Sequence, residues 1–85
     1  MADDEIAKSL GEEFSALLAK QGITLSELSR KSGISRQSLI FIKQGKVVPL
    51  VKNAVVIEKA LGLDTGWFEK EYVEISKEGE RNGID

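Results

Sequence analysis

The sequence of 85 residues predicts an all-α fold, a compact domain of five short helices. Three observations lead to this prediction. Apolar residues recur at intervals of three and four along most of the chain, which is the spacing that places them on one face of a helix. Glycines stand where these apolar stripes stop, as they do after helix C-termini. Thr24 and Glu27 match the capping box that opens a helix.

The first two helices are delimited by glycines. Helix 1 is predicted from one apolar stripe, formed by Ile6, Leu10, Phe14, Leu17 and Leu18. Gly22 follows a basic last turn and ends this helix. Helix 2 is expected to begin after Thr24 as its N-cap and to run to about Ser32. Gly33 ends it, because glycine adopts the left-handed conformation at little cost.

Helices 3 and 4 are predicted in the same way. Ser35 is a good N-cap for helix 3, which runs to about Gln44 and is closed by Gly45. Pro49 suits the first turn of helix 4. The inward stripe of that helix is Leu50, Ala54, Ile57 and Leu61. The β-branched residues between 47 and 57 leave a strand as a minor alternative.

Helix 5 and the tail complete the fold. Asp64 is the expected cap of a short helix 5 that carries Trp67 and Phe68 inward. Residues 72–75 alternate in part, so the tail is either a strand or an extension of helix 5, and the polar residues after Ser76 are expected to fray. We therefore divide the chain into a domain of residues 1–69 and an acidic tail of residues 70–85, which is a candidate for dimerisation or partner binding.

Composition excludes several classes of protein. The chain has no cysteine and no histidine, which rules out disulfides, zinc fingers and the commonest general base. No apolar run approaches the ~20 residues that a membrane-spanning helix needs, and the N-terminus is acidic rather than basic. Ser35 and Ser38 have no histidine to activate them. We expect a soluble cytoplasmic protein that is not an enzyme and has no cofactor, no metal and no membrane partner.

The net charge of −2 conceals an uneven distribution. Residues 20–59 carry eight lysines and arginines against two acids, whereas both ends of the chain are acidic. A basic segment of this kind is the electrostatic footprint of a nucleic-acid-binding surface, although ordinary solvated lysines are the alternative.

Residues 24–44 match a helix-turn-helix motif. Two short helices that cross steeply need a tight turn, which Gly33 permits, and Ile34 fills the gap between them. A small residue, Ser29, allows their close approach. The predicted outer face of helix 3 consists of Arg36, Gln37, Ile40, Phe41, Lys43 and Gln44. Arginine and glutamine are side chains that recognise guanine and adenine edges in the major groove.

The chain from about Leu10 to Phe68 resembles the lambda repressor and Cro-like helix-turn-helix family. The resemblance is carried by Gly22-Ile23-Thr24, Glu27-Leu28, Gly33-Ile34-Ser35, Leu39, Ile42, Gly45-Lys46, Pro49 and Leu61-Gly62-Leu63. It implies a five-helix lambda-repressor-like domain that places helix 3 in the major groove of double-stranded DNA. It also implies a transcriptional regulator, in our interpretation a repressor, that binds palindromic operators as a homodimer.

Site residues are assigned on this basis. Because the N-terminal residues of a recognition helix reach the bases, the candidate base contacts are Ser35, Arg36, Gln37, Ser38 and Ile40. The candidate phosphate contacts are Thr24, Lys43, Lys46, Lys52 and Asn53, of which Lys46 is the best placed. Ile40 contacts either thymine methyl groups or protein, and Phe41 is expected to pack under helix 4.

Three residues depart from the family pattern. Leu25 stands where the family commonly has a glutamine that grips a phosphate, Ser29 replaces the usual alanine, and Lys43 replaces a frequent acid. The first change puts one contact with the DNA backbone in doubt. The last change adds a candidate phosphate contact.

Two other predictions concern protein partners. Trp67, Phe68 and Tyr72 are candidates for the dimer interface, although core packing is the plainer interpretation of the first two. The alternative function is a protein-interaction module such as an antitoxin, whose acidic tail from Glu69 to Ile75 binds a partner protein. A helix-turn-helix that serves only as a scaffold is a third possibility.

Overall fold

A computed structural model of the chain describes residues 3–83, with side chains for residues 4–78. It contains five helices: α1 (Asp3–Gln21), α2 (Leu25–Ser32), α3 (Arg36–Lys43), α4 (Val51–Ala60) and α5 (Trp67–Gly83). Residues 3–83 contain no strand. The predicted all-α, five-helix architecture is therefore confirmed.

The core is a single apolar cluster to which every helix contributes. α1 packs against α3 and α5, while α2 packs against α3 and α4. Phe14 of α1 is fully buried at the centre, and its ring lies 5.5 Å from that of Phe68 in α5. The other large apolar side chains with at most 1% exposure are Leu10, Leu28, Leu39 and Ile57. Leu10, Phe14 and Ile57 belong to the apolar stripes predicted for helices 1 and 4, so periodicity located this part of the core correctly.

α1 and the end of α3 approach so closely that only glycine fits at the crossing. A Cβ placed on Gly11 would lie 2.7 Å from the Ile42 carbonyl oxygen, and one on Gly45 would lie 2.5 Å from the Cα of Lys8. Gly45 also has a positive φ of 76°. This contact fixes the loop that follows α3 against the first half of α1.

Helix α4 begins later than its apolar pattern predicts. Leu50 is the N-cap, with extended backbone, and α4 begins at Val51, so Pro49 lies before the helix rather than in its first turn. Leu50 is 66% exposed rather than inward. The periodic pattern misled at this position because helical spacing does not apply to a residue outside the helix.

α5 differs from prediction at its start and at its end. Asp64 does not cap the helix with its side chain, and its carbonyl oxygen accepts a hydrogen bond from the Trp67 N–H at 3.2 Å. The tail continues α5 as far as Gly83, so the helix extension is confirmed and the strand is wrong. Ile75 is buried in the common core. The boundary drawn after residue 69 thus falls inside α5, and a binding role for residues 70–85 stays a prediction.

Candidate nucleic-acid interface

The turn between α2 and α3 is held by local hydrogen bonds. Gly33 takes a φ of 78°, and its N–H bonds to the Ser29 carbonyl oxygen at 2.9 Å. The Ser29 hydroxyl donates to the Ile34 carbonyl oxygen at 2.7 Å, and the Ile34 N–H donates to the Ser32 hydroxyl at 3.1 Å. The position of α3 relative to α2 is therefore set by the side chains of two serines as well as by the glycine.

α3 presents a polar outer face and buries the opposite one. Leu39 and Ile42 lie in the core, whereas Arg36 and Gln37 are exposed in its first turn. No hydrogen bond among the described residues occupies either of these two side chains. Ile40 is half-buried beside them. Arg36 and Gln37 are thus free to reach outward from the N-terminal turn of α3.

The two serines at the start of α3 are engaged with each other. The Ser38 N–H donates to the Ser35 hydroxyl oxygen at 3.2 Å, and the Ser35 hydroxyl donates to the Ser38 hydroxyl at 2.9 Å. Ser35 is therefore the helix cap, as predicted, and its single hydroxyl hydrogen already has a partner. Any base contact by Ser35 has to replace these bonds, so Ser35 is a weaker candidate than Arg36 and Gln37.

Three exposed lysines surround α3. Lys43 lies in its last turn, Lys46 in the loop that follows and Lys52 in the first turn of α4. The Lys46 ammonium group lies 5.5 Å from the centre of the Phe41 ring, which is 37% exposed rather than packed in the core under α4. Leu50 has no side chain that can cap α4, so the first N–H groups of that helix have no side-chain acceptor there. Half-buried Asn53 faces the same depression as Phe41.

Thr24 is occupied by the capping box. Its hydroxyl oxygen accepts from the Glu27 N–H at 3.1 Å, and its own N–H donates to the Glu27 carboxylate at 3.2 Å. The pKa of Glu27 is lowered by this backbone N–H and by the Thr24 hydroxyl, and Lys31 and Arg30 lower it further. Both donors of Thr24, its N–H and its hydroxyl, therefore already have the Glu27 carboxylate as a partner, which a phosphate contact would have to replace.

One of the three predicted dimer-interface residues is internal, and the other two are half-buried. Phe68 is 3% exposed and packs on Phe14, and the half-buried Trp67 ring lies edge-on to Phe68 at 4.9 Å between ring centres. Tyr72 is half-buried at the edge of a groove between α4 and α5. Phe68 is therefore a core residue, whereas Trp67 and Tyr72 each keep part of their surface exposed.

Sequence reasoning missed two features of the described structure. Glu58 was counted only as a charge, but it is 1% exposed and holds the start of α5. The exposed apolar residues Val47, Val48, Leu50 and Val51 were assigned to a helix or left without a role. The signal for the second feature was present, because an unbroken apolar run from 47 to 51 cannot place all its side chains on one helix face.

Comparison with known families identifies the fold. A family model described as Helix-turn-helix matches residues 14–68, which is well over half of the chain. The chain belongs to the lambda repressor/Cro-like helix-turn-helix family. No curated protein and no solved structure matched it.

Membership of this helix-turn-helix family sets the general function. The family consists of DNA-binding transcription regulators rather than enzymes, so the chain is a DNA-binding regulator in this broad sense. The matched residues include all of α2, α3 and α4, which carry the exposed face and the lysines described above. Within residues 3–83 no helix is both long and apolar enough to cross a membrane.

Proposed function

We propose that this chain is a sequence-specific transcriptional repressor that binds double-stranded DNA as a homodimer, with α3 of each copy in the major groove. The observation that carries the proposal is the outward face of α3, on which Arg36 and Gln37 have no partner among the described residues. Arginine and glutamine each make two hydrogen bonds to a base edge, to guanine and adenine respectively.

Phosphate contacts are assigned to the lysines around α3. Lys43 and Lys46 flank the C-terminal end of α3, and Lys52 lies beside the uncapped N-terminus of α4. Backbone N–H groups at a helix N-terminus favour an anion, and a neighbouring lysine adds to that preference. Asn53 lies in the same turn, whereas Thr24 contributes less because Glu27 occupies it.

Repression is proposed rather than activation because occupying an operator that overlaps a promoter is sufficient to block transcription. Activation needs a further contact with the polymerase. Cytoplasmic localisation belongs to the same proposal.

The antitoxin alternative depends on apolar side chains in the tail that could contact a partner. Ile75 is buried in the core of the chain and Tyr72 is half-buried, so among the large apolar side chains of residues 70–78 only Val73 is exposed. DNA binding uses the side chains of Arg36 and Gln37, which are already exposed. Capture of a partner through the buried Ile75 would require that side chain to leave the core. A stoichiometric partner protein that copurifies with the full chain and prevents DNA binding would reverse this preference.

In-vitro selection of DNA sites by the purified chain tests the proposal directly. We expect a palindromic site, and we expect Arg36→Ala to weaken its binding by about 1–3 kcal/mol and to relax selection at one base position per half-site. The matched control is Arg30→Ala, which removes an exposed arginine of α2 outside α3. If the chain selects no site, or if both variants bind the selected site equally well, the assignment of α3 is wrong.

A further inference from the structure

A groove lies between α4 and α5 and is open to solvent along one side. This α4–α5 groove has a volume of about 380 Å³. Its lining is mainly apolar and comes from the loop before α4, from α4 and from α5: Val48, Pro49, Val51, Val55, Phe68 and Tyr72. Sites for small molecules are concave, have volumes of about 300–1,000 Å³ and are mostly apolar with a few polar groups. The groove has these properties of size and lining.

The acidic side chains of the groove have no basic counterpart in its lining. Glu58 of α4 and Glu69 of α5 both line the groove, and no lysine or arginine among the described residues does so. A cleft whose charged groups share one sign and whose walls are apolar concentrates the field and attracts the opposite charge. An occupant with a positive charge is therefore favoured over a neutral or negative one.

The two acids affect an occupant in different ways. Glu58 is 1% exposed, and its oxygens accept hydrogen bonds from the N–H groups of Gly66 and Phe68 at 2.9 and 2.8 Å. It is fixed in the wall, because turning toward a ligand would break both bonds. Glu69 is exposed and has no hydrogen bond among the described residues. Glu69 is thus the carboxylate that can turn toward a cation and pair with it directly.

The size of the groove limits the occupant to a small molecule. Water occupies about 30 Å³ per molecule in the liquid, so the groove has room for about a dozen non-hydrogen atoms. A polypeptide helix is about 10 Å wide with its side chains and would not fit inside. A compact hydrocarbon body with a single charged group does fit.

We propose that the α4–α5 groove binds a small organic cation, an aromatic or alkyl body that carries one ammonium or guanidinium group. The body packs on Val51, Val55 and Tyr72, and the cation lies beside Glu69. Binding would cover Val51, which is 80% exposed in the chain alone. This site is additional to the proposed function and does not depend on DNA binding.

Three probes with one hydrocarbon body test the preference for a cation. Phenylbutylamine, phenylbutanol and phenylpentanoate each carry a phenyl ring and four methylene groups, and they end in an ammonium, a hydroxyl and a carboxylate. Amide chemical shifts of the isotope-labelled full chain, followed during titration, give the site and the affinity. We expect shifts at Thr65 and Gly66, with the amine binding about three- to fivefold more tightly than the alcohol and the carboxylate binding most weakly.

Two pairs of variants assign the binding to the groove. Glu69→Gln should remove most of the advantage of the amine over the alcohol, whereas Glu74→Gln, an exposed acid of α5 outside the groove, should retain it. Val51→Ser should weaken all three probes by at least about threefold, because it removes apolar surface that the body covers. Val73→Ser, at an exposed position of α5 outside the groove, should not weaken them.

Four outcomes overturn the inference: no shift at the groove with the amine, equal affinities for amine and carboxylate, equal effects of Glu69→Gln and Glu74→Gln, and equal effects of Val51→Ser and Val73→Ser. Circular dichroism verifies that each variant retains its fold. The selection of DNA sites is carried out without probes, so it tests the proposed function separately. A chain that binds the amine and selects no DNA site retains this inference and refutes the proposed function.

Discussion

The carboxyl group of Glu58 in α4 accepts a hydrogen bond from the backbone N–H of Phe68 in α5 at 2.8 Å. Its other oxygen accepts from the Gly66 N–H at 2.9 Å. Glu58 is 1% exposed, so a buried side chain from one helix caps the N-terminus of another. A carboxyl group also interacts favourably with the positive end of the α5 dipole. This arrangement ties the helix that carries the tail to the domain that carries α3.

Replacing Glu58 should therefore destabilise the fold in proportion to the acceptors lost. Glu58→Gln retains one acceptor and turns an amide donor toward a backbone N–H, so it should cost about 1–3 kcal/mol, and Glu58→Ala should cost more. Urea unfolding of each variant gives the difference. Glu74→Gln, at an exposed position of α5, is the control and should change stability by less than about 0.5 kcal/mol. A Glu58→Gln variant as stable as this control would contradict the capping role.

Two glycines share the same left-handed backbone conformation, but only one of them lies where α1 crosses the α3–α4 loop. Replacing each by alanine should therefore lower stability by different amounts. Gly33 and Gly45 have φ values of 78° and 76°, but a Cβ would meet open space at Gly33 and the Lys8 backbone at Gly45. Alanine at either site incurs about 1–2 kcal/mol for its left-handed conformation. Gly45→Ala should lose about 1–3 kcal/mol more through overpacking. Equal losses in urea unfolding would mean that α1 can move away from the loop.

The capping box of α2 should make stability depend on pH. The pKa of Glu27 is lowered from its ordinary value of 4.5 in the folded chain, chiefly by the Thr24 N–H. The ionised side chain therefore stabilises the fold above the unfolded-state pKa, and this contribution is lost as the pH falls through the lower folded-state pKa. Thermal unfolding should show Glu27→Gln less stable than the wild type near neutrality, with the gap closing in acid. A gap that does not change with pH would refute the electrostatic part of this explanation.

Lys46 should contribute to affinity without contributing to specificity. If its ammonium group neutralises one phosphate, Lys46→Ala should weaken binding to all DNA sequences alike and reduce the slope of log K against log salt by about 1. Lys70→Ala, which removes an exposed lysine from α5, should leave the slope unchanged. Titrations at several salt concentrations measure both variants. Equal slopes for Lys46→Ala and the wild type would remove Lys46 from the DNA contacts.

Local signals in the sequence were reliable wherever neighbouring residues determine the structure. The capping box of Thr24 and Glu27, the Ser35 cap and the turn at Gly33 all form as predicted, because their hydrogen bonds join residues only a few positions apart. Predictions failed where a distant segment decides the outcome. The start of α5 is held by Glu58 instead of Asp64, and α5 extends through the tail because Ile75 finds a place in the core.

The site shows the same division. The exposed positions of Arg36 and Gln37 follow from the burial of Leu39 and Ile42, which helical spacing predicts. The exposed run from Val47 to Val51 could not be placed in this way, because an apolar residue is inside or outside according to what packs on it. The roles of the base and phosphate contacts remain predictions for the DNA experiments to test.

The sequence by itself determined the order of the helices, the helix-turn-helix and the residues on the outer face of α3, since these depend on short-range geometry and periodic burial. Only the tertiary structure decided that Glu58 is buried as a cap, that Gly45 lies against Lys8, and that Leu50 and Val51 face outward beside a groove. The physical reason is that burial is a property of the packed chain. It depends on which remote segment covers a side chain, and helical spacing does not encode that information.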